Sequence, residues 1–161
     1  MSVNGLGPIR FDSVSLVTAT PGDNDPEVGD KATVGGRDYL FVYNAGNSVI
    51  PTGHGAVLVA AATTYSCTVS SVSGEDMIIG VCRNASISTG YYGWLVTRGV
   101  TNVEMNATSG TVAAGQLLKC GVNGVFNALT IATGNLGGAI GQALEAVVSS
   151  ASGSAYVRCW G

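Results

Sequence analysis

The sequence is poor in charged residues. Only 11% of its 161 residues are Asp, Glu, Lys or Arg, against roughly a quarter in an ordinary globular protein. Two long stretches, Tyr39 to Gly74 and Cys120 to Leu144, contain no charged residue. A small domain that stands alone usually keeps itself soluble with charges of both signs. We therefore expect part of this surface to be covered by other chains in an assembly.

Clusters of basic residues and long apolar runs are also missing. Lys and Arg number seven and are scattered singly, and the net charge is −3. Nucleic-acid binding requires clustered cations that neutralise phosphates, so we expect no nucleic-acid partner. The longest apolar run, Ala56 to Ala62, is far shorter than a membrane span, and the N-terminus does not show the pattern of a signal peptide. We therefore expect no membrane partner.

Patterns typical of catalytic and metal sites are missing as well. The cysteines, Cys67, Cys82, Cys120 and Cys159, have none of the close spacings of a zinc knuckle or a redox dithiol. We interpret them as small buried hydrophobic residues. The only histidine, His54, lies in a Gly-His-Gly turn, which is more typical of a turn residue than of a catalytic base. We expect no catalytic residue, no metal site and no cofactor, and predict that the protein is not an enzyme.

Glycines and β-branched residues are abundant, and their arrangement favours strands. The 24 glycines separate short apolar segments. Gly35-Gly36 and Asn123-Gly124 each lie between two such segments, a pattern typical of two-residue hairpin turns. No segment shows a sustained helical period. The sequence therefore predicts an all-β fold, a compact β-barrel or β-sandwich.

The first 26 residues differ from the rest of the chain. Turn-forming residues at 5–8 and 21–26 enclose one apolar segment that alternates only in part, and an isolated strand is marginally stable in water. We predict an extended N-terminal arm over residues 1–26 and a β-barrel or β-sandwich domain over residues 27–161. The arm docks on another chain or, alternatively, forms an edge strand of its own domain. Its expected contact residues are Leu6, Ile9, Phe11, Val14 and Leu16.

Aromatic residues concentrate in two segments, the first with Tyr39, Phe41 and Tyr43 and the second with Tyr91, Tyr92 and Trp94. In the first segment they alternate with aliphatic residues, so this strand is expected to be buried on both faces or to lie at an interface. In the second segment, Tyr92 and Trp94 share one face of a strand. We interpret this second segment as core or subunit-interface anchors, or alternatively as a platform on which sugars stack.

A faint internal repeat is also present. Residues 79–82 and 140–143 each lead through a loop of small residues into a strand that carries an arginine, Arg98 or Arg158. The offset is 61 positions from Ile79 to Ile140 and 60 from Arg98 to Arg158. The repeat is too weak by itself to indicate a duplicated domain. It is compatible with two similar hairpins in one barrel or sandwich.

The order of short motifs in residues 76–160 resembles a known protein family. The motifs are Ile79–Cys82, Gly93–Val96 followed by Gly99–Val100, Val112–Leu118, Ile140–Ala146 and Ala155–Arg158. In this order they resemble the capsid decoration, or cement, proteins of tailed bacteriophages. Gln116 stands where that family usually has Asp. Upstream, Gly36–Tyr43 resembles the aromatic strand often found in these proteins.

The resemblance implies a structural virion protein on the exterior of an icosahedral phage head. Such proteins are commonly homotrimers that bind the major capsid protein and stabilise the head by clamping neighbouring capsid subunits. We expect the arm and the first aromatic segment to provide capsid or subunit contacts. The alternative is a carbohydrate-binding or adhesion module of a phage tail or fibre, with the second aromatic segment as its sugar platform. A small hydrolase that uses His54 is the weakest alternative.

Overall fold

The protein has an all-β fold, as predicted. The computed structural model describes residues 17–22, 25–59, 65–71, 77–83, 85–106, 111–130 and 138–159. Within these ranges it has eleven strands, one 3-10 turn at Val122–Gly124 and no α-helix. The strands are β1 Val17–Thr18, β2 Lys31–Val34, β3 Arg37–Asn44, β4 Gly55–Leu58, β5 Ser66–Val69, β6 Ile78–Cys82, β7 Tyr92–Met105, β8 Leu117–Cys120, β9 Phe126–Ala128, β10 Gly141–Ala143 and β11 Ala151–Arg158.

The long strand β7 belongs to two closed rings of hydrogen-bonded strands. Ring A runs from β7 through β6, β4, β5 and β3 back to β7, and ring B runs from β7 through β9, β8, β10 and β11 back to β7. Each ring has one parallel pairing, β3 with β5 in ring A and β7 with β9 in ring B. Arg98 marks the crossover between the rings, because it pairs with Asp38 of ring A and with Arg158 of ring B.

The two rings follow the same path through the chain. Ring A consists of β3, β4, β5, β6 and the first half of β7, and ring B consists of the second half of β7, β8, β9, β10 and β11. Taken in chain order, the five strands of each ring have the same parallel and antiparallel pairings. Even the isolated bridges correspond, since Ile50 pairs with Ile87 in the first repeat and Val112 with Val147 in the second. The internal repeat in the sequence is therefore more extensive than two similar hairpins, because the whole five-strand ring is duplicated.

Corresponding loops of the two rings also share their conformation. Gly53 and Gly115 both have a φ of +83°, a backbone conformation that favours glycine. The Gly53 N–H donates to the Cys82 carbonyl at 2.6 Å, and the Gly115 N–H donates to the Ala143 carbonyl at 2.8 Å. The loop before β4 thus matches the loop before β8.

Both predicted turns join antiparallel strands. Gly35-Gly36 is a two-residue turn as predicted, whereas Asn123-Gly124 lies in a five-residue connection, 121–125, because Cys120 pairs with Phe126. Gly35 and Gly36, with φ of 57° and 74°, connect β2 to β3, and Asn123 and Gly124, with φ of 59° and 72°, lie between β8 and β9. Two successive residues with positive φ match the right-handed twist of paired strands. Glycine and asparagine are the residues that adopt this conformation most readily.

Each ring has a hydrophobic core to which every one of its strands contributes. The side chains that meet inside ring A are Leu40, Val42, Ile50, Ala56, Cys67, Ile79, Cys82, Ile87 and Leu95. The core of ring B continues onto the outer side of ring A, and its residues include Tyr39, Phe41, Val81, Trp94, Val96, Val103, Met105, Leu118, Phe126, Ala143 and Val157. Two adjoining cores explain why the first half of β7 is buried on both faces, whereas the second half alternates between buried and exposed.

The predicted N-terminal arm lies mostly outside the described residues, including its contact residues Leu6, Ile9, Phe11, Val14 and Leu16. Its last part is described, since Val17 and Thr18 form β1 and pair with Gly93 and Tyr92 of β7. β1 therefore lies at the Tyr92 end of β7.

The two rings are in close contact at Gly55 and Gly124. A methyl group at Gly124 would lie 2.5 Å from the Gly55 oxygen and 2.9 Å from its nitrogen. A methyl group at Gly55 would lie 2.8 Å from the Cys120 sulfur. The backbones of β4 and of the β8–β9 turn are therefore in direct contact, which only glycine permits.

We predict that Gly124→Ala destabilises the protein strongly and that Gly115→Ala does so weakly. Both glycines have positive φ (72° and 83°), but no atom lies within 4 Å of a methyl group at Gly115. Gly115→Ala therefore carries only the conformational cost of about 1–2 kcal/mol, whereas Gly124→Ala adds an overpacking cost of about 1–3 kcal/mol. Thermal unfolding of both variants measures the difference. Equal losses of stability would contradict the close contact between the rings.

We also predict that the protein loses stability as the pH rises from about 9 to about 12. Burial raises the pKa of the Cys67 and Cys82 thiols from 9.0 to about 12. Above pH 9 these thiols ionise in the unfolded chain but not in the folded one, so alkali favours unfolding by up to about 1.4 kcal/mol per thiol per pH unit. Denaturant unfolding at several pH values should show a shallower decline for C67A/C82A than for the wild type. Parallel declines would contradict this prediction.

Candidate functional site

Five aromatic rings cross the β3–β7 pair on one side, and we call them the aromatic face: Tyr39, Phe41, Tyr43, Tyr92 and Trp94. The strand register places Phe41 opposite Trp94 and Tyr43 opposite Tyr92. Their ring centroids are 5.1 Å and 4.8 Å apart, respectively. Tyr39 meets Trp94 edge-on at 6.5 Å. Cross-strand aromatic contacts of this kind stabilise a sheet.

Most of the aromatic face is buried, which corrects two sequence-based expectations. Tyr39, Phe41 and Trp94 are only 2%, 0% and 5% exposed. Tyr39 and Phe41 are therefore core residues within this chain and do not present their side chains to a capsid. Trp94 likewise cannot stack on a sugar as part of a platform with Tyr91 and Tyr92. The interpretation of the first segment as a strand buried on both faces is confirmed, because Leu40 and Val42 are buried on its other side.

Four accessible tyrosines lie at one end of ring A, which we call the tyrosine end: Tyr43, Tyr65, Tyr91 and Tyr92. Tyr156, which is 37% exposed, lies apart from them on β11 of ring B. The Tyr43 N–H donates to the Tyr65 carbonyl at 3.2 Å, and the Asn44 N–H donates to the Tyr91 carbonyl at 2.9 Å. Tyr65 and Tyr91 are 38% and 39% exposed, and Tyr43 and Tyr92 are partly buried. Tyrosine combines an apolar ring with a polar hydroxyl, which suits a surface that another protein covers.

The sequence did not indicate that Tyr65 belongs to the tyrosine end. It is a single aromatic residue after Thr63 and Thr64, and no local pattern distinguishes it. It joins the tyrosine end only because β5 runs parallel to β3 and begins beside Tyr43. Parallel pairing between strands separated by β4 is a tertiary feature that no short motif indicates.

A shallow cleft of about 400 Å³ adjoins the tyrosine end at Tyr92. Its other lining residues are Pro21, Gly22, Asp25, Pro26, Glu27 and Val28. The carboxylates here support the local turns, since Asp25 accepts a hydrogen bond from the Gly22 N–H at 2.7 Å and Asp30 accepts one from the Glu27 N–H at 2.9 Å. The segment that follows β1 thus lies against the tyrosine end.

A larger groove of about 490 Å³ lies where the two rings meet, and we call it the inter-ring groove. Its lining residues are Arg37, Thr52, Gly53, Arg83, Val100, Thr101, Asn102, Ser152 and Ser154. Arg37 donates through Nε to the Val100 carbonyl, and Arg83 donates to the Tyr39 hydroxyl at 2.8 Å. Each guanidinium is thus fixed to the protein by one of its N–H groups and has others available for a ligand.

His54 and the cysteines serve local structure in the described part of the chain. The Nδ1 atom of His54 lies 2.6 Å from the Asn123 carbonyl oxygen, which ties the loop before β4 to the β8–β9 turn. Cys82 donates its S–H to the Ala85 carbonyl at 2.9 Å. Across the described ranges, no three His, Cys, Asp or Glu residues are grouped as metal ligands. Over the same ranges, the search for a long apolar helix that could cross a membrane finds none.

Comparisons with known proteins show a likeness in fold. No protein-family model matches the chain, and no curated protein matches it in sequence. Among solved structures, the chain is similar to the N base of the head fiber protein gp8.5 of bacteriophage phi29, with a TM-score of 0.54 and 10% sequence identity. The match covers 74% of this chain and 92% of that one. At this level of identity, the likeness shows that the two chains share a fold.

Proposed function

We propose that the protein is a structural component of a phage virion that binds the outer surface of the head and stabilises it. The observation that carries this proposal is the fold shared with the base of the phi29 head fiber, because the likeness spans nearly all of that domain. A shared fold is an analogy and does not by itself define a function. The properties of this chain's own surface add independent support.

The tyrosine end provides the chemistry for the main contact with the major capsid protein. Tyrosine is enriched among the residues that contribute most to binding energy at protein interfaces. The stretch Tyr39 to Gly74, which contains no charged residue, includes Tyr43 and Tyr65. A partner that covers Tyr43 and Tyr65 therefore desolvates few charges, and burying an unpaired charge is costly.

The N-terminal segment extends the same contact. β1, which directly follows residues 1–16 in the sequence, pairs with Tyr92 and Gly93 beside the tyrosine end. We propose that Leu6, Ile9, Phe11, Val14 and Leu16 bind the shell or a neighbouring copy there. Each apolar side chain that is buried adds about 1.5–3 kcal/mol to the contact.

Stabilisation of the head follows from thermodynamic linkage. A protein that binds the assembled shell and not its separated subunits lowers the free energy of the assembled state alone. Clamping requires that one copy contacts two neighbouring capsid subunits, so that separating the subunits breaks a contact. This role is non-catalytic and requires no cofactor.

We further propose that the protein acts as a homotrimer on the head. Support comes from a group of exposed apolar residues around the Val112–Val147 bridge of ring B, namely Ala113, Ala114, Leu144, Ala146 and Val148. Several exposed apolar side chains together mark an interaction surface more often than single ones do. Multiple copies also raise the overall affinity for a symmetric shell, because each contact holds the others close to their sites.

The trimer predicts a solution mass of three times the 16.2 kDa of one chain. Leu144→Asp should reduce the mass to that of a single chain, because it places a charge within the apolar contact. Light scattering coupled to size-exclusion chromatography at micromolar concentration measures both masses. Val122→Asp serves as the control, since Val122 is exposed elsewhere on ring B. A wild-type mass equal to one chain would refute the trimer in solution.

Binding to heads tests the proposed function. We predict that the wild-type protein cosediments with heads stripped of their outer proteins, taken from the phage that encodes it. The double variant Y65A/Y91A should bind at least about tenfold more weakly, because each lost tyrosine contact is worth about 1–2 kcal/mol. Deletion of residues 1–16 should weaken binding by at least as much.

Val49→Ala is the matched control for these variants, because Val49 is similarly exposed without belonging to the tyrosine end. Thermal unfolding of every variant shows that the domain remains folded. Wild-type protein that does not bind heads would refute the proposed function. Equal binding of the wild type and the tyrosine variant would instead remove the tyrosine end as the contact.

A further inference from the structure

We propose that the inter-ring groove binds an extended acidic segment of the shell protein, which pairs as a strand with an open edge of β7 and places its carboxylates on Arg37 and Arg83. The identity of this partner rests on the proposed function. The existence of the site rests on three observations among the described residues: an unpaired backbone position at Asn102 of β7, two arginines that no described carboxylate pairs with, and a groove that joins them.

The unpaired edge is a consequence of the duplication. In ring A, β2 pairs with the first half of β3, from Arg37 to Leu40. In ring B the second half of β7 takes the place of β3, and the residues that precede it are the first half of β7 itself. They continue straight and do not fold back as a hairpin. The start of β3 partly occupies the corresponding position in ring B, since a methyl group at Gly99 would lie 2.9 Å from the Gly36 oxygen and Arg37 donates to the Val100 carbonyl. Over the described residues, the position remains open at Asn102.

The backbone of Asn102 shows what this open position lacks. Its equivalent in ring A is Phe41, whose N–H donates to the Asp30 carbonyl at 2.9 Å and whose carbonyl accepts from the Gly29 N–H at 2.8 Å. Among the described residues, no hydrogen bond of this kind to the Asn102 backbone is found.

Strand geometry confirms the direction in which the Asn102 backbone points. Successive residues of an antiparallel strand direct their N–H and C=O groups to opposite edges. The Val100 carbonyl accepts from Arg37, and the Glu104 N–H donates to the Gly53 carbonyl at 2.9 Å, both on the edge away from β11. Asn102 lies midway between Val100 and Glu104, so its N–H and C=O point to the same edge. A strand placed in the groove can satisfy both groups.

The two arginines define the charge of the segment that fits. No carboxylate in the described part of the chain forms an ion pair with Arg37 or Arg83. Guanidinium groups bind carboxylates in a planar, bidentate manner and hold them more strongly than neutral acceptors. Glu104 lies beside the groove, where it accepts a hydrogen bond from the Ser152 hydroxyl at 2.7 Å. The arginines therefore favour acidic side chains on the Arg37 side of the groove.

An extended peptide fits this groove better than a sugar does. No aromatic side chain lines the groove, whereas sugar-binding sites commonly stack the sugar ring on one. The remaining polar lining, including Thr52, Ser152 and Ser154, offers hydroxyl groups to a polar main chain. The N–H and C=O of Asn102 offer the pair of hydrogen bonds that one residue of an extended backbone makes with its neighbour strand.

The location of the groove gives the clamp its second contact. Arg37 and Tyr43 lie at opposite ends of β3, which places them about 20 Å apart at the usual rise per residue. The tyrosine end can therefore rest on one capsid subunit while the inter-ring groove holds a segment from its neighbour.

Two variants test the groove in the head-binding assay. Arg83→Glu should weaken binding at least tenfold, because it replaces attraction to the acidic segment with repulsion. Asn102→Pro should also weaken binding at least tenfold, because it removes the free N–H while leaving the hydrogen bonds of β7 with β11, which involve the neighbouring residues. Wild-type binding should weaken as salt is raised from 50 to 500 mM, and Arg83→Glu should be less sensitive to salt.

Each variant has a matched control. Asn102→Ala is the reference for Asn102→Pro, because it removes the same side chain and keeps the N–H, and it should bind heads more tightly than Asn102→Pro does. Arg158→Glu makes the same charge change at an exposed strand position outside the groove, and it should bind like the wild type. Thermal unfolding and circular dichroism establish that all four variants are folded.

A second assay, with a labelled peptide of about eight alternating Val and Glu residues, separates the groove from the proposed function. Fluorescence anisotropy should show salt-dependent binding to the wild type and at least tenfold weaker binding to Arg83→Glu and Asn102→Pro. If the wild type binds heads but the groove variants bind equally well, the inference is wrong and the proposed function stands. If the wild type fails to bind heads, the proposed function is wrong and the peptide assay alone decides the groove. Absence of peptide binding in that case overturns it.

Discussion

The structure depends on one strand that serves two rings. β7 pairs with β3 and β6 along its first half and with β11 along its second, so neither ring can close without it. The arrangement also requires the rings to lie very close together, and Gly55 and Gly124 make this possible by letting two backbones touch. Because these contacts are between backbones, side chains cannot easily adjust to relieve a change there, and interiors packed this closely transmit strain.

Duplication of the ring explains both the buried and the exposed surfaces of the protein. Phe41 and Trp94 face each other in ring A, and the equivalent pair in ring B is Asn102 and Ser154. The aromatic pair is buried in the core, whereas the polar pair lines the inter-ring groove. The same face of the same fold is thus core in ring A, where the core of ring B continues onto it, and surface in ring B.

Because the protein has few charged residues, its arginines have a large effect on which partners the surface can bind. In a protein with many surface ion pairs, a guanidinium near a groove is quickly compensated by a neighbouring carboxylate. Here Arg37 and Arg83 are held by the Val100 carbonyl and the Tyr39 hydroxyl, which fixes their position without neutralising them. A partner bound in the inter-ring groove would therefore meet two oriented charges on a largely neutral surface, and such charges contribute to the specificity and register of binding.

The sequence alone determined the fold class and several local features. β-Branched residues and glycine turns predicted an all-β chain, and turns form at Asn123-Gly124 and Gly35-Gly36 as expected because positive φ is a local property of these residues. The alternation around Phe41 correctly predicted a strand buried on both faces. The weak repeat between residues 79–82 and 140–143 pointed to a similarity that turned out to involve the whole ring.

Only the tertiary structure decided which aromatic residues are accessible and where a groove lies. Tyr39, Tyr43 and Trp94 look equivalent in sequence, yet Tyr39 and Trp94 are buried while Tyr43 lies at the accessible end of the sheet. Tyr65 reaches that end through a parallel pairing, and Arg83 approaches Arg37 because β6 and β3 belong to one ring. Local patterns specify which way a side chain points from its own strand, but exposure depends on what the rest of the chain places against that strand.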